Sequence, residues 1–134
     1  MIQLDMRIIG FINVFEKITR AGVKDCFEEG DSLIFVVQPG EARRAVGEGG
    51  KNLVRLSKLM KKEVKVIQFS KSPDKFLSNL LYPLRPELEV KEGFLVIKAK
   101  DAKEKGRIFG RERSNLKRIQ TLMDRYFAVA IKVE

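Results

Sequence analysis

Apolar residues fall at helical spacing through MRIIGFINVFEKITR, with Ile8, Ile12, Phe15 and Ile18 on one side, so this stretch predicts an amphipathic helix. Asp5 stands ahead of it as an N-cap. CFEEG then reads as a short strand. SLIFVV, apolar after its first residue and halted by Pro39-Gly40, predicts a central strand buried on both faces. EARRAV predicts a short helix. NLVRLSKLMKK predicts a longer one, whose Leu53, Leu56 and Met60 make the inward stripe. EVKVIQF closes the series as a strand.

The pattern then begins again. Ser72 is placed as an N-cap with Pro73 at the first helical position, Phe76, Leu77, Leu80 and Leu81 form an apolar face, and Pro83 stops the helix. ELEV and FLVIKA follow as strands, DAKEKGRIF and SNLKRIQTLMDRYF as helices either side of a loop. AVAIKV, alternating through Val129, Ile131 and Val133, is the last strand. Shifting the chain by 63 residues lays VGEGGKNLVRLSKLM on FGRERSNLKRIQTLM without a gap. Gly47 meets Gly110, Asn52 meets Asn115, Leu53 meets Leu116 and Arg55 meets Arg118. Ile34, Glu41 and Arg44 likewise pair with Ile97, Glu104 and Arg107. Two copies of one small unit explain this, with domains expected over 1–70 and 71–134.

Between the two helices of the first copy lies AVGEGGKNL. As a phosphate loop of the Walker type it fails: five positions before Gly50 stands Ala45, and Lys51 is followed by Asn52, which has no hydroxyl for magnesium. As a dinucleotide fingerprint it fails too, because a helix instead of a strand precedes it and the sixth position from Gly47 is Asn52. The form [VI]-G-x-x-G-x-x-[LI] fits from Val46 to Leu53. Glycines in such a loop let a phosphodiester backbone come close, and the next helix offers its N-terminal N–H groups and dipole.

Composition narrows the chemistry. The 134 residues carry 27 Lys and Arg against 18 acids, a net charge of +9, which argues for an anionic partner. Residues 71–134 hold 15 cations against 9 acids and the first 70 hold 12 against 9, so the second copy is the more basic. The chain has no histidine, which excludes imidazole bases and histidine-ligated zinc. Cys26, the single cysteine, reads as a small buried hydrophobe. No metal, cofactor or catalytic residue is expected. The start of the chain lacks a signal-peptide pattern and the apolar runs are short, so a cytoplasmic protein without a membrane partner is expected.

The whole chain resembles the paired KH domains of NusA transcription factors in their short archaeal form, most specifically in FINVFEKIT, LIFVVQPGEARRAVGEGGKNL and SPDKFLSNLLYP. The resemblance implies an α+β fold (an α/β sandwich) of two tandem type II KH domains, each a three-stranded mixed sheet packed against three helices. It also implies single-stranded RNA as ligand and a role in transcription elongation or termination; RNA polymerase as a partner and a monomeric state are expected with it. KH loops clamp about four nucleotides of backbone. Matched to that pattern, Gly47, Glu48, Gly49 and Gly50 form the clamp with Lys51 beside it. Arg55 and Lys58 continue a cationic stripe down the next helix. Glu48 is an acid inside the clamp, and its side chain must turn to solvent. Gly110, Arg111, Glu112 and Arg113 depart from the pattern, since arginine replaces the last glycine and strains the loop if positive φ is needed there. The second copy is therefore expected to offer side-chain cations, Arg111, Arg113, Lys117 and Arg118, or else to serve only as a packing partner. Two other uses of the same module stay open: ribosome assembly, and an adaptor whose basic face meets an acidic protein.

Overall fold

The computed structural model describes residues 5–134, and the chain divides into two compact units at Ser70/Lys71. In the first, helix α1 (Met6–Thr19) leads to strands β1 (Val23–Glu29) and β2 (Ser32–Val37), then helices α2 (Ala42–Val46) and α3 (Lys51–Met60), and strand β3 (Glu63–Gln68). Asp5 caps α1, its carboxylate accepting from the Ile8 amide at 2.8 Å. Strand β2 lies in the middle of the sheet, antiparallel to β1 and parallel to β3. A parallel neighbour needs a long crossover, and the α2–loop–α3 segment is that crossover.

Leu33 to Val37 are all buried, as an unbroken apolar run requires. Leu33, Phe35 and Val37 share one core with Ile8, Phe15, Ala45 and Leu56 from the three helices. Phe15 stacks on Phe35 with ring centroids 4.0 Å apart, fixing α1 over the centre of the sheet. Ala45 and Leu56 anchor the two helices that carry the glycine loop, so that loop is held by the core at both ends.

The second unit repeats this order: α4 (Pro73–Leu81), β4 (Glu87–Lys91), β5 (Phe94–Lys98), α5 (Ala102–Phe109), α6 (Ser114–Asp124) and β6 (Ala130–Val133). Strand β5 is central, antiparallel to β4 and parallel to β6. Phe76, Leu77 and Leu81 of α4, Ile108 of α5, and Ile119, Leu122 and Met123 of α6 are buried with Leu95, Val96 and Ile97.

Three of the boundaries that differ from the periodicity have a visible cause. Strand β1 starts at Val23 rather than Cys26, because Val23 pairs with Val37 across a bulge before Asp25. Helix α6 ends at Asp124, short of Phe127. The Tyr126 and Phe127 amides turn back to the Met123 carbonyl, and their rings pack on Phe76 at 5.3 and 5.9 Å. The last strand therefore begins at Ala130 rather than Ala128.

Candidate nucleic-acid interface

Helix α2 ends when the Gly47 amide donates to the Arg43 carbonyl at 3.0 Å. Gly47 itself has φ 78 and ψ 166, a region closed to side chains. A Cβ there would also stand 2.8 Å from the Asn52 side chain. One turn of 3₁₀ helix, Glu48–Gly50, follows, with the Gly50 amide donating to the Gly47 carbonyl at 3.1 Å. Gly49 and Gly50 are both left-handed, at φ 62 and φ 77, and a Cβ on either would meet nothing within 4 Å. The outer surface of this loop is bare backbone.

The second loop follows the same path. Gly110 has φ 69 and ψ 177, Glu112 φ 55 and ψ 32, and Arg113 φ 62 and ψ 18. Its hydrogen bonds match as well: the Gly110 amide donates to Gly106 at 2.9 Å and the Arg113 amide to Gly110 at 3.2 Å. A Cβ at Gly110 would lie 2.7 Å from that of Asn115. The geometry explains which glycine the second copy keeps. The first is enforced by ψ and by the asparagine pressed against it. The later two ask only for the left-handed region, which ordinary residues enter at about 1–2 kcal/mol each.

In the first unit, Gly47, Glu48, Gly49, Gly50 and Lys51 form one continuous turn, and Glu48 is exposed to solvent. Lys51, Arg55 and Lys58 are exposed along α3 at the spacing of one helix face. In the second unit Gly110, Arg111 and Arg113 share the turn, with Arg111 and Arg113 exposed. The Arg113 guanidinium lies over the Phe109 ring, 5.4 Å from its centroid. Lys117 is exposed on α6, whereas Arg118 is half-buried.

Helices α1 and α5 are capped by Asp5 and Asp101, but α3 and α6 begin at Gly50 and Arg113 with no capping side chain. The 3₁₀ turn ahead of each supplies main-chain acceptors instead, the Lys51 amide donating to the Glu48 carbonyl and the Ser114 amide to the Arg111 carbonyl.

Two residues that sequence reasoning left out as functional hold these loops closed. The Asn52 amide donates to the Arg44 carbonyl at 3.1 Å, and the Asn115 amide to the Ile108 carbonyl at 3.0 Å. The signal was present, since the two asparagines align in the repeat. Among the described residues no group of three or more His, Cys, Asp or Glu could hold a metal ion, and no helix is long and apolar enough to cross a membrane.

The KH domain family matches residues 12–72, which include the first loop and both its helices. The "Probable transcription termination protein NusA" of Methanococcus vannielii is 31% identical over 86 residues, 64% of this chain and half of that protein. The protein of the same name from Methanocaldococcus jannaschii is 28% identical over 98% of this chain and 75% of its own length. The crystal structure of APE1850 superposes with a TM-score of 0.77 at 27% identity, covering 98% of this chain and all of that one.

Proposed function

Since this chain is an archaeal NusA-like KH protein, of a family of RNA-binding transcription termination factors, we propose that it grips single-stranded RNA by its backbone, mainly through the loop Gly47–Lys51. The observation that carries this reading is the bare left-handed turn of Gly49 and Gly50, set before an uncapped helix and flanked by Lys51. Such a turn lets phosphates reach backbone N–H groups that no side chain shields. Arg55 and Lys58 continue the positive track along α3.

We assign 1–70 and 71–134 as tandem type II KH domains. Their shared helix–strand–strand–helix–loop–helix–strand order and matching sheet orders support this. In the second domain Gly110 keeps the turn, and Arg111, Arg113, Lys117 and Arg118 supply charge. The protein acts by binding, not catalysis, as a cytoplasmic monomer that meets transcripts during elongation or termination, with RNA polymerase as its protein partner.

The test is titration of a labelled single-stranded RNA about four to eight nucleotides long across a salt series. The logarithm of affinity should fall linearly with that of salt, at a slope of about −0.7 per phosphate contacted. Gly49→Asp should weaken binding severely while leaving the fold intact. A flat salt response, or full binding by Gly49→Asp, overturns the reading.

A further inference from the structure

A second surface of the first unit lies along α1 and α3. The two helices bound an open groove of about 930 Å³, whose apolar lining is Met6, Phe11, Val14, Ile18, Leu59 and Met60. Three of these are unusually bare: Met6 is 85%, Leu59 57% and Val14 39% exposed. The rim is cationic, formed by Arg7, Lys17, Arg20 and Arg55, and no acid lines it. Arg7 is ion-paired with Glu28, but Lys17, Arg20 and Arg55 have no acidic partner among the described residues. Gly10 lies in the groove in the middle of α1, where a Cβ would meet nothing within 4 Å. Packing does not require glycine there, and mid-helix glycine destabilises a helix relative to alanine. Its missing side chain deepens the groove.

We infer that this groove is a docking surface for an acidic amphipathic helix of a partner protein. Charge complementarity sets the sign: uncompensated cations flank an apolar floor, so the occupant carries apolar anchors on one side and carboxylates beside them. The lining sets the class. Side chains of the floor offer neither donors nor acceptors, so a nucleobase placed there would leave its polar edge unsatisfied, whereas aliphatic anchors lose nothing. Two helical walls with flexible methionines suit a third helix laid against them. The surface is separate in mechanism from the glycine loop, because anchoring is by apolar burial rather than by backbone N–H groups.

The experiment uses the full chain and a fluorescent helical peptide of about 18 residues, five turns, with leucines at i, i+3, i+4 and i+7 and glutamates elsewhere. A control peptide has glutamines in place of the glutamates. The Glu peptide should bind the wild type, with the Gln peptide markedly weaker. Gly10→Leu fills the groove and improves helix propensity, and Val14→Ser with Leu59→Ser removes two exposed anchors. Each should weaken the Glu peptide about tenfold or more while the RNA titration is unchanged. Gly49→Asp should do the reverse, losing RNA and keeping the peptide. No binding of the Glu peptide to the wild type, equal binding of the Gln peptide, or peptide binding unchanged in the groove variants overturns the proposal. So does displacement of the peptide by oligouridine together with weaker RNA binding in Gly10→Leu, which would assign the groove to RNA. A dimer that dissociates in the groove variants would assign it to a second copy and equally overturn the proposal.

Discussion

The side-chain amide of Asn52 donates to the main-chain carbonyl of Arg44 at 3.1 Å, tying the first turn of α3 to the last turn of α2 across the glycine loop. Asn115 reaches the matching carbonyl of Arg107 at 3.5 Å and the next one, of Ile108, at 3.0 Å. Each bond closes its loop from behind, leaving the outer surface open. Asn52→Ala should therefore lower stability by about 1 kcal/mol, the worth of one partly exposed hydrogen bond. It should also weaken RNA binding by widening the loop, yet leave the salt slope alone because no charge is lost. Urea denaturation and RNA titration at three salt concentrations check both halves.

Gly47 and Gly49 are not equivalent, although both have positive φ. Alanine at Gly47 meets a closed region of backbone space and a contact of 2.8 Å with Asn52. Alanine at Gly49 meets only the left-handed penalty. Gly47→Ala should destabilise by more than about 2 kcal/mol and Gly49→Ala by about 1 kcal/mol. Denaturation midpoints with an unchanged urea dependence would rank them.

The repeat and the core strands were readable because their signals are local. The five-residue buried run Leu33–Val37 and the aligned VGEGGKNL and FGRERSNL need no knowledge of the rest of the chain. Strand β1 was under-read because Lys24 and Asp25 hide its start, and only pairing with β2 draws Val23 into the sheet. Helix α6 was over-read because Tyr126 and Phe127 continue an apolar pattern but are claimed by Phe76, a residue some fifty positions earlier. At the loops, residue types gave the glycine positions and the cations. They did not give the roles of the asparagines, which depend on a carbonyl seven or eight residues back.

Glu112 occupies the left-handed position that Gly49 holds in the first loop, at φ 55. Replacing it with glycine relieves about 1–2 kcal/mol of backbone strain. The extra freedom of glycine in the unfolded chain takes back about half of that. Glu112→Gly should thus raise stability by up to about 1 kcal/mol. It also removes an acid from the loop surface, so RNA affinity at low salt should rise. Loss of both stability and affinity would show that Glu112 makes a contact of its own.

Cys26 is buried in the first core, and its thiol is pushed up from its ordinary value of 9.0 to about 12. Burial is the main cause, with the negative charges of Asp25, Glu28 and Asp5 adding to it. At pH 8 the thiol should resist iodoacetamide until the protein unfolds. The sign of the pH effect follows from the raised value, since the folded state holds its proton when the unfolded state has lost it. The contribution is complete below pH 9 and declines as pH rises from 9.0 towards 12. Wild-type stability should therefore fall more steeply over that range than that of Cys26→Ala, in parallel urea titrations.

Arg111 and Arg113 distinguish a second loop that binds from one that only packs. Both are exposed on a turn with the same backbone path as the first, and Phe109 steadies Arg113 from beneath without consuming its hydrogen-bond donors. If each meets one phosphate, Arg111→Ala with Arg113→Ala should reduce the salt slope by about 1.4 for single-stranded RNA. A long RNA is the necessary ligand, because a short one would occupy the first loop alone and report nothing of the second. The paired change Lys51→Ala with Arg55→Ala should reduce the slope on short and long RNAs alike. If removing both arginines leaves affinity and slope on the long RNA unchanged, the second unit has no share in RNA binding. Its retained Gly110 would then answer only to the fold, which needs that turn to bring α6 back against the sheet.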